Sequence, residues 1–207
     1  MDTLRLMTQA PLRTVRPLML RDVYANPDKE LARLRDQGYL VQLARGTYLV
    51  KPDTLPAGQT WTPPLEVAAM AYATAAYAPA VPVLYGISAA RNWQAIPRAI
   101  GVAIVAVQRP HRPIALRTGG RVEFTVRRVD LLDTQPVDTV VGMMRVTTPE
   151  QTLVDLVAWP QLGGMPDQAI QAARQIIPQV DAGLLQKLLL RQPETVIRKV
   201  RAVLKES

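Results

Sequence analysis

Four basic residues near the start of the chain have the types and spacing that nucleic-acid binding requires. They are Lys29, Arg33, Arg35 and Arg45. Lys29 and Arg33 are one helical turn apart, and both point outward when Leu31 and Leu34 face the interior of a helix. Cations arranged in this way contact phosphates or base edges in a DNA groove. The alternative is a solvated face on a fold used for protein contact, because acidic residues lie between the basic ones.

A second concentration of arginine lies between positions 98 and 128, where Glu123 is the only acidic residue. We predict a partner-binding basic patch from Arg109, Arg112, Arg117, Arg121, Arg127 and Arg128. If residues 118–120 form a three-residue hairpin loop, Arg117 lies directly opposite Arg121. Like charges paired across strands are destabilising, which predicts an anionic partner. The alternative is that Glu123 and solvent screen this pair, in a chain that uses arginine in place of lysine throughout.

The residue types needed for common metal and nucleophilic sites are almost absent. The chain has no cysteine and a single histidine, His111, which excludes thiolate zinc sites and argues against a Ser-His-Asp triad. No phosphate-binding glycine loop and no kinase-type catalytic loop is present. Asp130, Asp133 and Asp138 are candidate metal ligands, but solvated loop acids are the simpler interpretation. The sequence therefore predicts no metal site or cofactor and identifies no catalytic residue.

The elements that must position the first group of cations are typical of a winged helix-turn-helix. Residues 17–24 have helical apolar spacing and end at the Asn26-Pro27 dipeptide. A second helix begins there and ends at Gly38. A hairpin follows with Arg45-Gly46 at its turn, in a register that places Val41 opposite Val50. In this fold the second helix enters the DNA major groove and the hairpin touches phosphates, so we predict a DNA-binding domain over residues 1–52.

The rest of the chain predicts a linker and a larger α+β domain. Residues 53–64 are rich in proline with no apolar period, and residues 65–207 follow as the second domain. A helix is predicted over 64–77, strands over 99–107, 113–117, 121–129 and 143–147, and further helices from Pro166, Asp181 and Pro193. Thr148-Pro149-Glu150-Gln151 is a capping-box sequence that begins another helix. We expect a mixed or antiparallel sheet followed by C-terminal helices.

Composition bounds the partners and the compartment. Apolar residues make up 48% of the 207 residues, as in globular proteins, and the net charge of +8 favours polyanionic partners. The first residues carry charges throughout, and no apolar run is long enough for a membrane helix. We therefore expect a cytoplasmic protein with no membrane partner.

Two strings resemble the AbiEi family of type IV toxin-antitoxin antitoxins. They are VTTPEQTLVDLV at 146–157 and LARLRDQGYLVQLARGTYLV at 31–50, with weaker support from LYGISAARNWQAIP at 84–97. The resemblance implies a winged helix joined to a C-terminal antitoxin domain. It also implies binding to inverted repeats in the protein's own promoter, repression of that promoter, and neutralisation of a cognate nucleotidyltransferase toxin without a required stable complex. The implied DNA contacts fall on Lys29, Arg33 and Arg45.

Three functions remain open at this level. The first is the autoregulatory antitoxin, and the second is a plain transcriptional regulator whose second domain senses a ligand or dimerises. The third is an enzyme, such as an atypical protein kinase, that modifies the toxin covalently. The arginine patch could bind an acidic toxin surface, could compete for the toxin's nucleic-acid substrate, or could belong to such an enzyme. The enzyme ranks last because no nucleotide site is recognisable.

Overall fold

Two β-sheets organise the chain, which a computed structural model describes over residues 3–56 and 58–205. The strands are β1 (Thr14–Val15), β2 (Leu40–Ala44), β3 (Thr47–Val50), β4 (Val83–Leu84), β5 (Val102–Val107), β6 (Ile114–Ala115), β7 (Arg121–Val126), β8 (Thr134–Thr139) and β9 (Gly142–Thr147). The α-helices are α1 (Thr3–Thr8), α2 (Pro27–Asp36), α3 (Leu65–Tyr77), α4 (Gly86–Asn92), α5 (Pro149–Ala158), α6 (Pro166–Ile176), α7 (Ala182–Leu189) and α8 (Glu194–Lys205). Short 3-10 helices cover Pro11–Arg13, Pro17–Leu20, Val129–Leu131 and Ile177–Gln179.

The small sheet has the strand order β1-β3-β2 and is antiparallel. With α1, the 3-10 helix at Pro17–Leu20 and α2, it gives an N-terminal unit compatible with a winged helix. The full helix predicted over 17–24 is wrong, since only this single 3-10 helix forms before a turn. Leu18 and Met19 are 65% and 54% exposed, so the segment lacks the continuous buried stripe that would stabilise a longer helix.

Helix α2 forms as its sequence predicts. The Asn26 side chain accepts a hydrogen bond from the Lys29 backbone N–H at 3.1 Å, which caps the first turn. Leu31 and Leu34 are buried on the inner face. Gly38 follows the helix with φ of 79°, a left-handed conformation that favours glycine. The outer face of α2 is therefore fixed relative to the sheet beneath it.

The β2–β3 hairpin has the predicted turn but not the predicted register. Ala44 pairs with Thr47 across Arg45-Gly46, whereas Val41 lies opposite Leu49 and not opposite Val50. A bulge between Gln42 and Ala44 adds one residue to β2 and shifts the pairing. Every residue of β3 is buried, because helices cover both faces of this sheet. Apolar alternation therefore could not identify the register.

The large sheet has the order β6-β7-β5-β4-β9-β8 and lies between two helical layers. On β5, Val102, Ile104 and Ala106 pack into the core formed with α4 to α8, while Ala103 and Val105 face α3. The β5–β7 and β4–β9 pairs are parallel and the other pairs are antiparallel. The α+β class, the mixed sheet and the C-terminal helices are confirmed.

The N-terminal unit shares a hydrophobic core with the rest of the chain. Leu12, Leu43 and Leu49 belong to the same buried cluster as Met70 of α3 and Val105 of β5. Between β3 and α3, the described residues 51–56 and 58–64 contain no helix or strand. The small sheet is therefore packed against α3, and the division at residues 53–64 stays a prediction.

Candidate functional site

The predicted nucleic-acid-binding cations lie on the outer surface of the N-terminal unit. Lys29 and Arg33 are exposed on α2, and Arg45 is exposed at the β2–β3 turn. Among residues 3–56 and 58–205, no carboxylate forms an ion pair with Lys29 or Arg45. These two charges are available to a phosphate.

The other two predicted cations are already engaged by neighbours. Arg33 donates to both oxygens of Glu30, at 2.9 and 2.5 Å, and to Gln37 at 2.8 Å. Arg35 donates twice to Asp36, at 2.9 and 2.7 Å. The hydrogen bond from Arg33 lowers the pKa of Glu30 below its usual range. Exposed ion pairs of this kind are weak because solvent screens them, so a phosphate can displace Glu30 at small cost.

The six arginines of the predicted partner-binding patch do not form one surface. Because β5 and β7 run parallel, Arg109 and Arg128 follow the carboxyl ends of their strands. Arg117 and Arg121 lie at the opposite end of β7, about 20 Å away at 3.3 Å per residue. Arg112 lies in the segment that returns to β6. The arginines therefore fall into groups at opposite ends of β7. That either group binds a partner stays a prediction.

The predicted pairing of Arg117 with Arg121 is wrong. Ala115 lies opposite Arg121, and Ile114 lies opposite Val122. The turn is longer than three residues, because Leu116 already leaves the strand pairing and donates its N–H to the Gly120 carbonyl at 3.0 Å. Arg121 instead forms an ion pair with Glu123 at 2.6 Å. The expected repulsion across the strands is therefore absent.

The sixth arginine of that patch, Arg127, belongs to a mostly buried polar group that we call the Asp155 cluster: Tyr85, Arg127, Gln151, Asp155 and Trp159. Arg127 donates to the Tyr85 hydroxyl at 3.1 Å, and its guanidinium lies 4.7 Å from the Trp159 ring centroid. Tyr85 and Gln151 both donate to Asp155 Oδ1 at 2.8 Å. The cluster joins β7 to the start of α4 and to α5.

Burial controls the electrostatics of this cluster. Asp155 is 3% exposed, and burial raises its pKa to about 7 against the lowering effect of its hydrogen bonds from Tyr85 and Gln151. Burial and the neighbouring Asp155 carboxylate also raise the pKa of Tyr85. Asp155 Oδ2 is buried and has no hydrogen-bond partner within the described part of the chain. Trp159, in contrast, is about half exposed. The carboxyl group can exchange a proton near neutral pH, but solvent reaches only the outer edge of the cluster.

Sequence reasoning missed this cluster, although Asp155 lies within the string at 146–157 that carries the family resemblance. The available signal was two polar residues four positions apart, Gln151 and Asp155, on an otherwise apolar helix face. Tyr85 and Arg127 lie in other elements and are distant in sequence, whereas Trp159 directly follows α5. Local pattern alone therefore indicates the fold here and not the polar cluster.

The remaining polar residues of that string fix the start of α5. Thr148 accepts a hydrogen bond from the Gln151 N–H at 3.3 Å, as the capping-box sequence predicts. The reciprocal half does not form, because the Gln151 side chain turns to Asp155 and the Thr148 N–H donates to the Asp133 carbonyl. The Glu150 carboxylate accepts from the Asp181 N–H at 2.8 Å and so holds the start of α7 against α5.

Two of the three aspartates considered as metal ligands, Asp133 and Asp138, are separated in the fold, and Asp130 lies in the 3-10 helix Val129–Leu131. Asp133 forms an ion pair with Arg191 at 2.7 Å, while Asp138 lies within β8 opposite Met143. Over the described part of the chain, no three acidic or histidine residues are grouped to hold a metal ion.

None of the described helices has the length and apolarity needed to cross a membrane. The longest of them, α3, has 13 residues, against the roughly 20 that a bilayer core requires.

Comparison with known proteins identifies a family and a related fold. A model of the AbiEi antitoxin C-terminal domain matches residues 67–206. The structure is similar to the crystal structure of the RV2827C protein from Mycobacterium tuberculosis, with a TM-score of 0.64 and 18% identity over 98% of this chain and 75% of that one. At this identity the likeness shows the fold alone. No curated protein sequence matches the chain.

Proposed function

This chain belongs to the AbiEi antitoxin family, and we propose that it is a type IV antitoxin that both represses its own promoter and neutralises a nucleotidyltransferase toxin. The family membership supports an antitoxin of a toxin-antitoxin system. Promoter binding, a nucleotidyltransferase as the toxin and the assignment to type IV go beyond family membership and are proposals. The observation that carries promoter binding is a pair of exposed cations, Lys29 on α2 and Arg45 on the adjoining hairpin, that have no carboxylate partner among residues 3–56 and 58–205.

The geometry of the N-terminal unit supports promoter binding. Helix α2 packs its leucines inward and presents Lys29 and Arg33 outward, as a recognition helix in the major groove does. Arg45 at the tip of the hairpin suits a backbone phosphate. Arg33 would exchange its Glu30 partner for DNA. Positions that contact phosphates determine affinity, whereas any base contact from α2 determines the sequence preference.

A promoter-reporter assay in cells tests repression. The wild-type chain should lower expression from the DNA upstream of its own gene, and a Lys29→Ala/Arg45→Ala variant should relieve that repression. Lys199→Ala is the matched control, because Lys199 is exposed on α8, outside the N-terminal unit. Full reporter expression in the presence of the wild-type chain would show that the repression half of the proposal is wrong.

The proposal predicts that a gene next to this one encodes a nucleotidyltransferase toxin, and the growth of cells that express that toxin tests neutralisation. The wild-type chain should restore growth. The Lys29→Ala/Arg45→Ala variant should restore it equally, because the family match covers residues 67–206, outside the N-terminal unit. Failure of the wild-type chain to restore growth would refute the antitoxin proposal for that toxin.

Three mechanisms of neutralisation are separable in the same system. Binding of an acidic toxin surface predicts that the two purified proteins associate. Competition for the toxin's substrate predicts that this chain binds the substrate nucleic acid by itself. Covalent modification predicts transfer of label from a nucleoside triphosphate to the toxin when both proteins are incubated together.

One observation favours a second candidate, a regulator that senses a small molecule. A cavity of about 890 Å³ lies between Pro11–Arg13, the end of α3 and the β8–β9 hairpin. Its size is in the range of ligand pockets. Its position beside the N-terminal unit would let a ligand alter DNA binding. Native mass spectrometry of the purified chain tests this candidate, because a bound metabolite would add a defined mass and a ligand-free spectrum would contradict it.

A further inference from the structure

The loop between β6 and β7 lies directly against the hairpin of the N-terminal unit. The Arg117 N–H donates to the Leu43 carbonyl at 2.8 Å. Leu43 is fully buried at the bulge of β2, and Arg45 is two residues further along. Two residues span at most about 7 Å, so the backbone of Arg45 is close to this contact. The backbones of Arg117 and Arg45 are therefore near each other.

The β6–β7 loop is held in place by its own packing. Leu116 is buried in the cluster that also contains Leu43. Gly120 has a φ of 74°, and a Cβ atom there would lie 2.8 Å from the Leu65 side chain and 3.1 Å from the Gly101 carbonyl. The close approach and the positive φ both require glycine. The loop is thus anchored against α3 and the β2–β3 hairpin, in a fixed relation to Arg45.

Two adjacent cations on these loops lack an acidic partner. Arg117 and Arg45 are both exposed. Over residues 3–56 and 58–205, no carboxylate pairs with either, since the nearby Glu123 is taken by Arg121. Cations on adjacent loops repel each other unless an anion lies between or along them. A phosphate backbone, with closely spaced negative charges, supplies such an anion.

We propose that Arg117 extends the DNA interface of the N-terminal unit, so that the β6–β7 loop acts as a second wing beside the β2–β3 hairpin. This inference rests on the proposed promoter binding. Arg117 and Arg45 contact the phosphate backbone of the same site, and neither reads a base. The antitoxin domain therefore contributes directly to DNA affinity, and the shared core with α3 fixes its orientation on the duplex.

The test is the salt dependence of binding to the protein's own upstream DNA, measured by fluorescence anisotropy with the full chain. Each phosphate contact contributes about −0.9 to the slope of log affinity against log salt. Arg117→Ala should therefore make the slope shallower by about 0.9, and Arg45→Ala/Arg117→Ala should make it shallower by about 1.8. Arg198→Ala, which removes an exposed arginine on α8, should leave the slope unchanged. The losses should be equal on promoter and scrambled DNA.

The substitution keeps the backbone bond to Leu43, so the unfolding midpoint of Arg117→Ala should match that of the wild-type protein, and Arg117→Gln provides a second variant of similar volume. A normal slope for both Arg117 variants, with a reduced slope for Arg45→Ala, would overturn this inference and leave promoter binding intact. Loss of toxin neutralisation with unchanged DNA binding would also overturn it, in favour of a protein partner. Absence of any DNA binding by the wild-type chain would refute promoter binding and this inference together.

Discussion

Replacement of Asp155 by asparagine should abolish a large part of the pH dependence of stability. The pKa of Asp155 in the folded protein is about 7, because the carboxyl group is buried. In the unfolded chain an aspartate titrates near pH 4. Between these values the folded state binds the proton and the unfolded state does not. The contribution of Asp155 to the free energy of unfolding therefore falls as pH rises from about 4 to 7.

The magnitude follows from the difference between the two pKa values. About three pKa units at about 1.4 kcal/mol each correspond to about 4 kcal/mol. The asparagine of the Asp155→Asn variant cannot ionise, while its carbonyl oxygen can still accept the hydrogen bonds that Tyr85 and Gln151 donate to Asp155 Oδ1. Any cost of burying the new amide N–H₂ at the Oδ2 position is independent of pH. Relative to wild type, Asp155→Asn should gain about 4 kcal/mol between about pH 4 and pH 8.

Urea unfolding at a series of pH values measures this difference directly. The quantity of interest is the free energy of unfolding of the Asp155→Asn variant minus that of the wild-type protein at each pH. Asp130→Asn is the matched control, because Asp130 is exposed and its removal should change stability by less than about 0.5 kcal/mol at any pH. Parallel curves for Asp155→Asn and wild type would refute the reasoning, since they would mean that Asp155 titrates alike in both states.

Three further outcomes are expected from single substitutions. Tyr85→Phe removes a hydrogen bond that lowers the pKa of Asp155. The titration of Asp155 should therefore move to higher pH in the same urea series. An unchanged or lower pH midpoint of that titration would contradict this. Thr148→Ala removes the cap of α5 and should lower the free energy of unfolding by about 1 kcal/mol, whereas Thr148→Ser should retain it; equal losses would exclude the cap as the cause. Glu30→Gln releases the ionic partner of Arg33 and should tighten binding to promoter DNA at low salt; an unchanged affinity would show that Arg33 does not contact DNA.

The ends of α2 and the start of α5 were predictable because their signals are local. Asn26 and Pro27 begin α2, and Gly38 follows it in the left-handed conformation that its sequence position predicts. Thr148 likewise begins α5. Each signal acts within four residues, so no knowledge of tertiary contacts was needed.

Strand pairing was less predictable because it depends on burial from both sides. β3 is covered on both faces, so its apolar residues do not alternate, and the bulge in β2 then shifts the register by one residue. β8 was not predicted, because Pro136 and Asp138 are residue types that are uncommon in strands. Both are tolerated because β8 is an edge strand of the large sheet.

The Asp155 cluster and the contact between Arg117 and Leu43 could not be predicted from the sequence for a different reason. The cluster joins residues from α5, β7 and the start of α4, and Arg117 is 74 residues from Leu43. No periodicity or local motif connects such positions. The exposed cations of α2 could be predicted, since helical spacing alone determines which side chains share a face.

Titration of the protein's own upstream DNA with the full chain, at several salt concentrations, is the decisive measurement for promoter binding by the N-terminal unit. We expect tighter binding to that DNA than to a scrambled duplex of equal length, with log affinity falling linearly with log salt. The slope should be shallower by about 1.8 for Lys29→Ala/Arg45→Ala, because each cation neutralises one phosphate. Equal slopes for this variant and wild type, or no binding at low salt, would show that these cations do not hold DNA.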